Sequence, residues 1–294
     1  MRLLWIILCF LLFSCANRPR ERIVIRGSDT EVNLVLQMAE IFMDRDPEVS
    51  IAVTGGGSGT GLAALINRKT DIANSSRDFS SYELRLAKER EIEVLDFIFA
   101  RDALCFIVNK ELELDSLSIE KISAIYKGQL KNWEEAGAQN LPISLYGRQS
   151  NSGTFIYIRD SILRGDYSLG MKQMNGNAQI IEGVRNDPAG IGYVGIGYVV
   201  KEDGEVLEGL KILSLKISRN VAAISPNESE NILNGSYPVI RPLFQFLDGK
   251  PDGKLKDFLL FEISEEGQKM IKYGGYFPID DRQMKHNLKL LHNE

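Results

Sequence analysis

Histidine and cysteine are scarce in this 294-residue chain, and neither is placed for chemistry. The two histidines, His286 and His292, stand close together near the C-terminus, which removes a His-based metal site and a Ser-His-Asp triad. The three cysteines, Cys9, Cys15 and Cys105, show no CxxC spacing, so zinc ribbons and thioredoxin-like chemistry are excluded. Basic charge is also short: 35 Lys and Arg against 40 Asp and Glu give 35 − 40 = −5. Nucleic-acid affinity comes from neutralising phosphates with clustered Lys and Arg, so this composition excludes a general nucleic-acid binder. No fixed-period repeat or low-complexity segment occurs. What is present, 44% apolar and 26% charged residues, describes an ordinary globular protein of one large or two medium domains.

A long apolar run occurs only at the start. Arg2 is followed by an unbroken stretch from Leu3 to Phe13, too short to span a bilayer as a helix and suited to the h-region of a secretory signal. Polarity returns at once from Asn17 to Arg22. The junction Leu12-Phe13-Ser14-Cys15 resembles a bacterial lipobox, which implies a lipoprotein signal peptide over residues 1–14, lipidation of Cys15 and a tether over residues 15–21. The chain would then be held in the periplasm or at the cell surface by its lipidated N-terminus. With Cys9 removed and Cys15 lipidated, only Cys105 remains, inside the apolar stretch Ala103 to Val108. It reads as a packed thiol on a buried strand, and no disulfide is possible in the mature chain.

Beyond the tether, short Val- and Ile-rich runs alternate with helical patterns, the rhythm of an α/β fold with mostly parallel sheets. Strands are expected at Arg22 to Arg26, Val49 to Thr54, Asp71 to Arg77, Val94 to Ala100, Leu104 to Val108, Ile143 to Tyr146 and Ala189 to Val194. Helices are expected over Glu31 to Asp44, Leu62 to Arg68, Ser81 to Arg90, Ile119 to Tyr126, Phe155 to Leu163, Lys254 to Ile263 and Glu265 to Tyr273. Tyr237 to Phe246 reads as an extended segment whose prolines suit an edge or crossover rather than a sheet centre.

Three strand ends pass through glycine and hydroxyl residues before a helix: Gly27-Ser28-Asp29-Thr30, Gly57-Ser58-Gly59-Thr60-Gly61 and Ser152-Gly153-Thr154. Each presents unpaired backbone N–H groups, a hydroxyl and the positive end of a helix dipole, and glycine lets an anion approach the backbone. Any one of them alone is an ordinary N-cap. Arg148 and Ser75-Ser76-Arg77 also follow strands; taken singly, either arginine reads as one half of a surface ion pair. In open α/β sheets, however, ligands sit beyond the carboxyl ends of strands, so all these segments can converge on one tetrahedral oxyanion.

This series, continued by Asn132-Trp133 and Gly190-Ile-Gly-Tyr193, resembles the phosphate-binding proteins of bacterial high-affinity phosphate ABC transporters over nearly all of the mature chain. The resemblance implies a two-lobed α/β periplasmic-binding-protein fold (type II), with mixed sheets, flanking helices and two interdomain crossovers. The first lobe would comprise residues 22–101 and 237–294, and the second residues 102–236. It implies inorganic phosphate held in the interlobe cleft by Ser28, Thr30, Ser58, Gly59, Ser76, Arg77, Arg148, Ser152, Gly153 and Thr154. The implied partners are the permease subunits of the transporter and the membrane, with no cofactor and a monomeric state. Ser76 and Ser150 stand where some members carry aspartate. Phosphate near neutral pH carries a proton and needs an acceptor, a role open to Asp29 or Asp71 unless these cap their segments.

An enzyme reading fails on the same residues. No Lys-Ser or Lys-Thr follows Gly61, as a P-loop requires, and Thr60 stands where a GxSxG elbow needs its second glycine. A sensing or adhesive surface lipoprotein of the same fold, or a receptor for another tetrahedral oxyanion such as sulfate, stays open.

Overall fold

The computed structural model describes residues 20–201, 204–218 and 221–292; the signal-peptide and Cys15 readings lie outside them. The strands are β1 (Glu21–Gly27), β2 (Val49–Thr54), β3 (Ile72–Ser75), β4 (Val94–Asn109), β5 (Ser116–Ser118), β6 (Ser144–Arg148), β7 (Lys172–Met174), β8 (Gly190–Gly195), β9 (Leu210–Ile212), β10 (Ser214–Lys216) and β11 (Ile240–Asp248). Among the described residues they form a nine-stranded sheet in the order β2-β1-β3-β11-β4-β8-β6-β7, with β9 beside β4, and a separate β10-β5 pair.

The expected parallel arrangement holds at each end of the sheet, for β1 with β2 and β3 and for β6 with β7 and β8. The middle is antiparallel: β11 runs against both β3 and β4, and β4 against β8. The two strands expected between Val94 and Val108 are one strand of 16 residues. Its first part, Val94 to Ala103, pairs with β11, and from Leu104 it pairs with β8 and β9. The apolar pattern hides this continuity, because Arg101 and Asp102 interrupt it without breaking the strand.

β11 is internal in the sheet rather than an edge. Pro242 is nevertheless tolerated, because β3 pairs only with Phe244 to Phe246 and leaves one side of Pro242 without a ladder partner.

Helices cover both ends of the sheet. The helix α1 (Val32–Arg45) buries Leu34, Val35, Met38, Ala39 and Phe42 along one face, and Phe42 meets Phe258 edge-on with ring centroids 5.4 Å apart. It is followed by α2 (Ser58–Ile66), α3 (Ser81–Glu89), α4 (Ile119–Tyr126) and α5 (Trp133–Ala136). The helix expected from Phe155 begins earlier, as α6 (Gly153–Tyr157), and continues as a π-helical segment over Ile158–Leu163. Then come α7 (Asn177–Arg185), α8 (Ser229–Leu233), α9 (Gly253–Ile263), α10 (Glu265–Tyr273) and α11 (Asp281–His292). The last was not expected from the sequence; it is strongly charged and buries only Asn287 and Leu291. Asn287 ties it down by exchanging hydrogen bonds with the backbone of Ile98 on β4.

The core is divided. One apolar cluster gathers buried residues from Ala103 to Val239, including Cys105, Trp133 and Tyr193. Another joins Ile23 to Ile72, Phe97 to Ala100 and Leu243 to Leu291. A smaller one packs Leu62, Phe79 and Phe246 beneath α2 and α3. The first two exchange at β4 and β11, so these strands carry the chain between two packed lobes. Burial pushes the Cys105 thiol far up, which suits a packing role and not a reactive one. No helix among the described residues is long and apolar enough to cross a membrane.

Candidate functional site

The site lies where β1, β2, β3 and β6 end. After β1, Gly27 takes φ +142°, and a Cβ there would sit 2.0 Å from the carbonyl oxygen of Asn74, so the chain can pass β3 only as glycine. Ser28 N–H donates to that same carbonyl at 2.9 Å, and the Ser28 hydroxyl accepts from Thr30 N–H at 3.2 Å. The loop is held from behind: Tyr198 Oη donates to the carbonyls of Asp29 (2.8 Å) and Thr30 (3.1 Å), and Tyr276 Oη donates to that of Thr30.

After β2, Gly56 and Gly57 take φ +121° and +90°, turning the chain so that α2 opens on Ser58, which is fully buried. Ser76, next after β3, is equally enclosed. Its N–H donates to Ser58 Oγ at 3.1 Å, and the two hydroxyls lie 3.3 Å apart. From the other lobe, β6 ends on Arg148 and α6 opens with Gly153, preceded by buried Ser152 and followed by buried Thr154.

The lobes meet at these segments. Thr30 Oγ1 and Thr154 Oγ1 are 3.2 Å apart. A Cβ on Gly153 would fall 2.4 Å from Ser58 Oγ and 2.5 Å from Ser76 Oγ, so glycine allows α6 to seat its start on the two serines. Gly59 N–H donates to the Asn151 carbonyl at 3.0 Å, and Asn151 Nδ2 donates to the Gly56 carbonyl at 2.8 Å, clasping one glycine loop to the other lobe. Arg148 is 1% exposed and crosses the cleft to Asp29, Nη2 to Oδ2 at 2.6 Å. Its backbone N–H donates to Tyr193 Oη at 3.0 Å, and burial pushes that phenol up to about 12.

Of the ten residues singled out from sequence, Ser28, Thr30, Ser58, Gly59, Ser76, Arg148, Ser152, Gly153 and Thr154 come together here. Arg77 does not: its guanidinium turns to Glu83, at 2.7 and 2.8 Å, and to the Asp78 carbonyl. Glu83 also completes the capping box of α3, which explains why the arginine is drawn away. Asp71, just before β3, is tied to the middle of β1, accepting from Val24 N–H at 2.7 Å. Asp29 is committed to Arg148 and to Gly56 N–H at 2.7 Å, and Ser150 is exposed.

Three buried ionisable residues beneath the loops were missed. Arg241, on β11, is 1% exposed and pairs with fully buried Asp102 on β4, Nη2 to Oδ2 at 2.9 Å and Nε to Oδ2 at 3.2 Å. It also donates to Thr30 Oγ1, Thr154 Oγ1 and the Ser76 carbonyl. The available signal was Arg241 alone inside the apolar segment Tyr237 to Phe246, and Asp102, beside Arg101, in the short gap between two expected strands. Glu31 is fully buried with no hydrogen-bond partner on either carboxyl oxygen. Burial pushes its carboxyl well above the usual range, against the pull of Arg241.

The result is a buried patch of hydroxyls and helix-start N–H groups from both lobes, with two guanidinium groups, each already matched by a carboxylate. Donors of this kind suit a small, compact anion. No group of His, Cys, Asp and Glu among the described residues is arranged to hold a metal ion.

Comparison with known proteins agrees with this architecture. The chain is 29% identical over 283 residues to a phosphate-binding protein PstS of Pseudomonas aeruginosa, covering 90% of this chain and 85% of that one. It is 29% identical to a PstS of Borreliella burgdorferi, covering 92% and 94%. A Clostridium perfringens structure with bound phosphate superposes with a TM-score of 0.77 at 25% identity, covering 88% of this chain and 100% of that one. An ABC-type phosphate transport receptor from Vibrio cholerae gives 0.71 at 26% identity, covering 87% and 100%. The fold shared with these structures is the two-lobed type II α/β arrangement. A family model described as a PBP superfamily domain matches residues 16–266, and this chain therefore belongs to the PBP superfamily.

Proposed function

We propose that the protein captures inorganic phosphate between its two lobes and delivers it to an ABC transporter for import. The observation that carries this reading is the meeting of Thr30, Ser58 and Ser76 from one lobe with Arg148, Ser152, Gly153 and Thr154 from the other. Such a cleft supplies many N–H and O–H donors and little free cationic charge, which suits an anion that is stripped of water and surrounded. The phosphate-binding relatives and phosphate-bound neighbour support the choice of anion. A binding role is supported by the phosphate-binding relatives and by a site built from hydroxyl and N–H donors.

The hinge of this receptor would lie where β4 and β11 pass between the apolar clusters, dividing residues 22–101 and 237–294 from residues 102–236. Ligand contacts from both sides would favour the closed state. The chain would be exported and anchored through lipidated Cys15, a reading supported by the apolar run from Leu3 to Phe13. Cys15→Ala should release the protein from membranes in cell fractionation.

Calorimetric titration with phosphate and sulfate tests the ligand. Arg148→Ala removes charge-assisted donors at roughly 1.5–3 kcal/mol each, so phosphate affinity should fall by about 100-fold or more while the fold persists by circular dichroism. Unchanged affinity, or tighter binding of sulfate than phosphate by the unaltered protein, would overturn the assignment.

A further inference from the structure

Arg241 belongs to neither set of loops. It stands on crossover strand β11, yet Nη2 lies 3.2 Å from Thr30 Oγ1 and 3.0 Å from Thr154 Oγ1, hydroxyls contributed by opposite lobes. Nη1 donates to the Ser76 carbonyl at 3.1 Å, beneath the third segment of the cleft. Asp102 holds the guanidinium in register from the other crossover strand, and the Tyr157 ring covers it with its centroid 5.5 Å from Cζ. One side chain thus touches both lobes from the hinge strands.

The direction of these bonds has a chemical consequence. Arginine has donors and no acceptor, so each contact uses a lone pair of its partner. A threonine hydroxyl has one O–H and two lone pairs. Nη2 has two hydrogens for Asp102, Thr30 and Thr154, so they are shared among the three, each threonine turning a lone pair to the guanidinium, and the two hydroxyls, 3.2 Å apart, bond to each other with one as donor. The receiving hydroxyl then has both lone pairs used, and its O–H is left as a donor only. The donating hydroxyl keeps one lone pair, and without the arginine the receiving hydroxyl regains one too and can accept.

We propose that Arg241 is a specificity-determining positioning residue of the anion site: from the crossover strand it fixes the donor and acceptor sense of the Thr30–Thr154 hydroxyl pair where the two lobes meet, leaving the receiving hydroxyl only an O–H to offer an anion. The inference rests on the oxyanion reading given above. Fully ionised oxygens need donors at every position, whereas a protonated phosphate oxygen can itself donate to a freed hydroxyl. Loss of Arg241 should therefore harm sulfate binding more than phosphate binding, although both weaken.

The experiment titrates phosphate and sulfate into the full-length protein and into Arg241→Gln/Asp102→Asn, which leaves no buried charge without a partner. Phosphate affinity is expected to fall at least about 30-fold and sulfate affinity at least threefold further, with the thermal midpoint of the unliganded protein little changed. A purely structural role would move the midpoint and leave the phosphate-to-sulfate ratio alone. Should the double variant not fold, Arg241→Lys keeps the cation but loses the planar fork, and the same shift in ratio is expected in milder form. A double variant, or failing that a lysine variant, that keeps phosphate affinity within threefold and the ratio unchanged overturns this proposal and leaves the cleft reading standing. Failure of the unaltered protein to bind either anion overturns both.

Discussion

Two arginine–carboxylate pairs of the same chemistry serve different ends of this molecule. Arg148–Asp29 joins the lobes across the cleft mouth, and its carboxylate is 20% exposed. Arg241–Asp102 joins the two crossover strands and is closed to water, with 1% and 0% exposure. The first is a latch whose carboxylate stays within reach of solvent, although its guanidinium is 1% exposed. The second is a strut, where each charge is tolerable only because the other is present. Burial pushes the Asp102 carboxyl up and Arg241 pulls it back down, the balance expected of a group that depends on its partner. Identical residue types therefore say little about role until burial and the elements that carry them are known.

The comparison breaks most sharply under single substitutions. Asp102→Ala leaves a guanidinium buried and unmatched, which should cost about 3–5 kcal/mol in urea unfolding. Asp29→Ala also strips a buried guanidinium of its carboxylate, but Asp29 is itself 20% exposed and the loss should be smaller, about 1–3 kcal/mol. Equal losses would show that burial does not separate the pairs.

A smaller effect is expected where both pairs are kept but the lobes are held apart. Gly153→Ala drives a Cβ against Ser58 and Ser76, 2.4 and 2.5 Å away in the closed form. Phosphate affinity should fall about tenfold, near 1.4 kcal/mol, with unfolding little affected. Wild-type affinity in that variant would mean that α6 need not seat on the serines.

The mildest test concerns a buried carboxyl with no guanidinium. Glu262 on α9 is fully buried and accepts only from Gln245 Nε2 at 2.9 Å, and burial pushes it well above the usual range against the pull of that bond. The folded state therefore keeps a proton that the unfolded chain loses above an ordinary value near 4.5, so stability drains away as pH rises beyond that point. Glu262→Gln removes the loss. It should stabilise by about 1 kcal/mol at neutral pH and by nothing below the unfolded-chain value, read from denaturation across pH. A gain that persists at low pH would point to packing instead of protonation.

Much of the cleft was legible because its signals are local. Glycine and hydroxyl residues at strand ends mark open helix starts, as at Ser58 and at Ser152 to Thr154, whereas Ser76, which opens no helix, came into the set through the family resemblance. Arg77 carried two readings that only its neighbour decides, since Glu83 sits six residues on and also caps α3. β4 was split in two because a strand with charges in its middle has the same pattern as two strands and a loop. The final helix went unread because it is strongly charged and buries little, chiefly Asn287 and Leu291.

Composition and local pattern alone determined the α/β class, the glycine-bounded helix starts and the hydroxyl character of the site, since each depends on backbone geometry within a few residues. The tertiary structure decided which charges meet. Arg148 finds Asp29 119 positions away and Arg241 finds Asp102 139 away. No short-range pattern encodes such distances, because they follow from two crossover strands that bring separately packed lobes face to face.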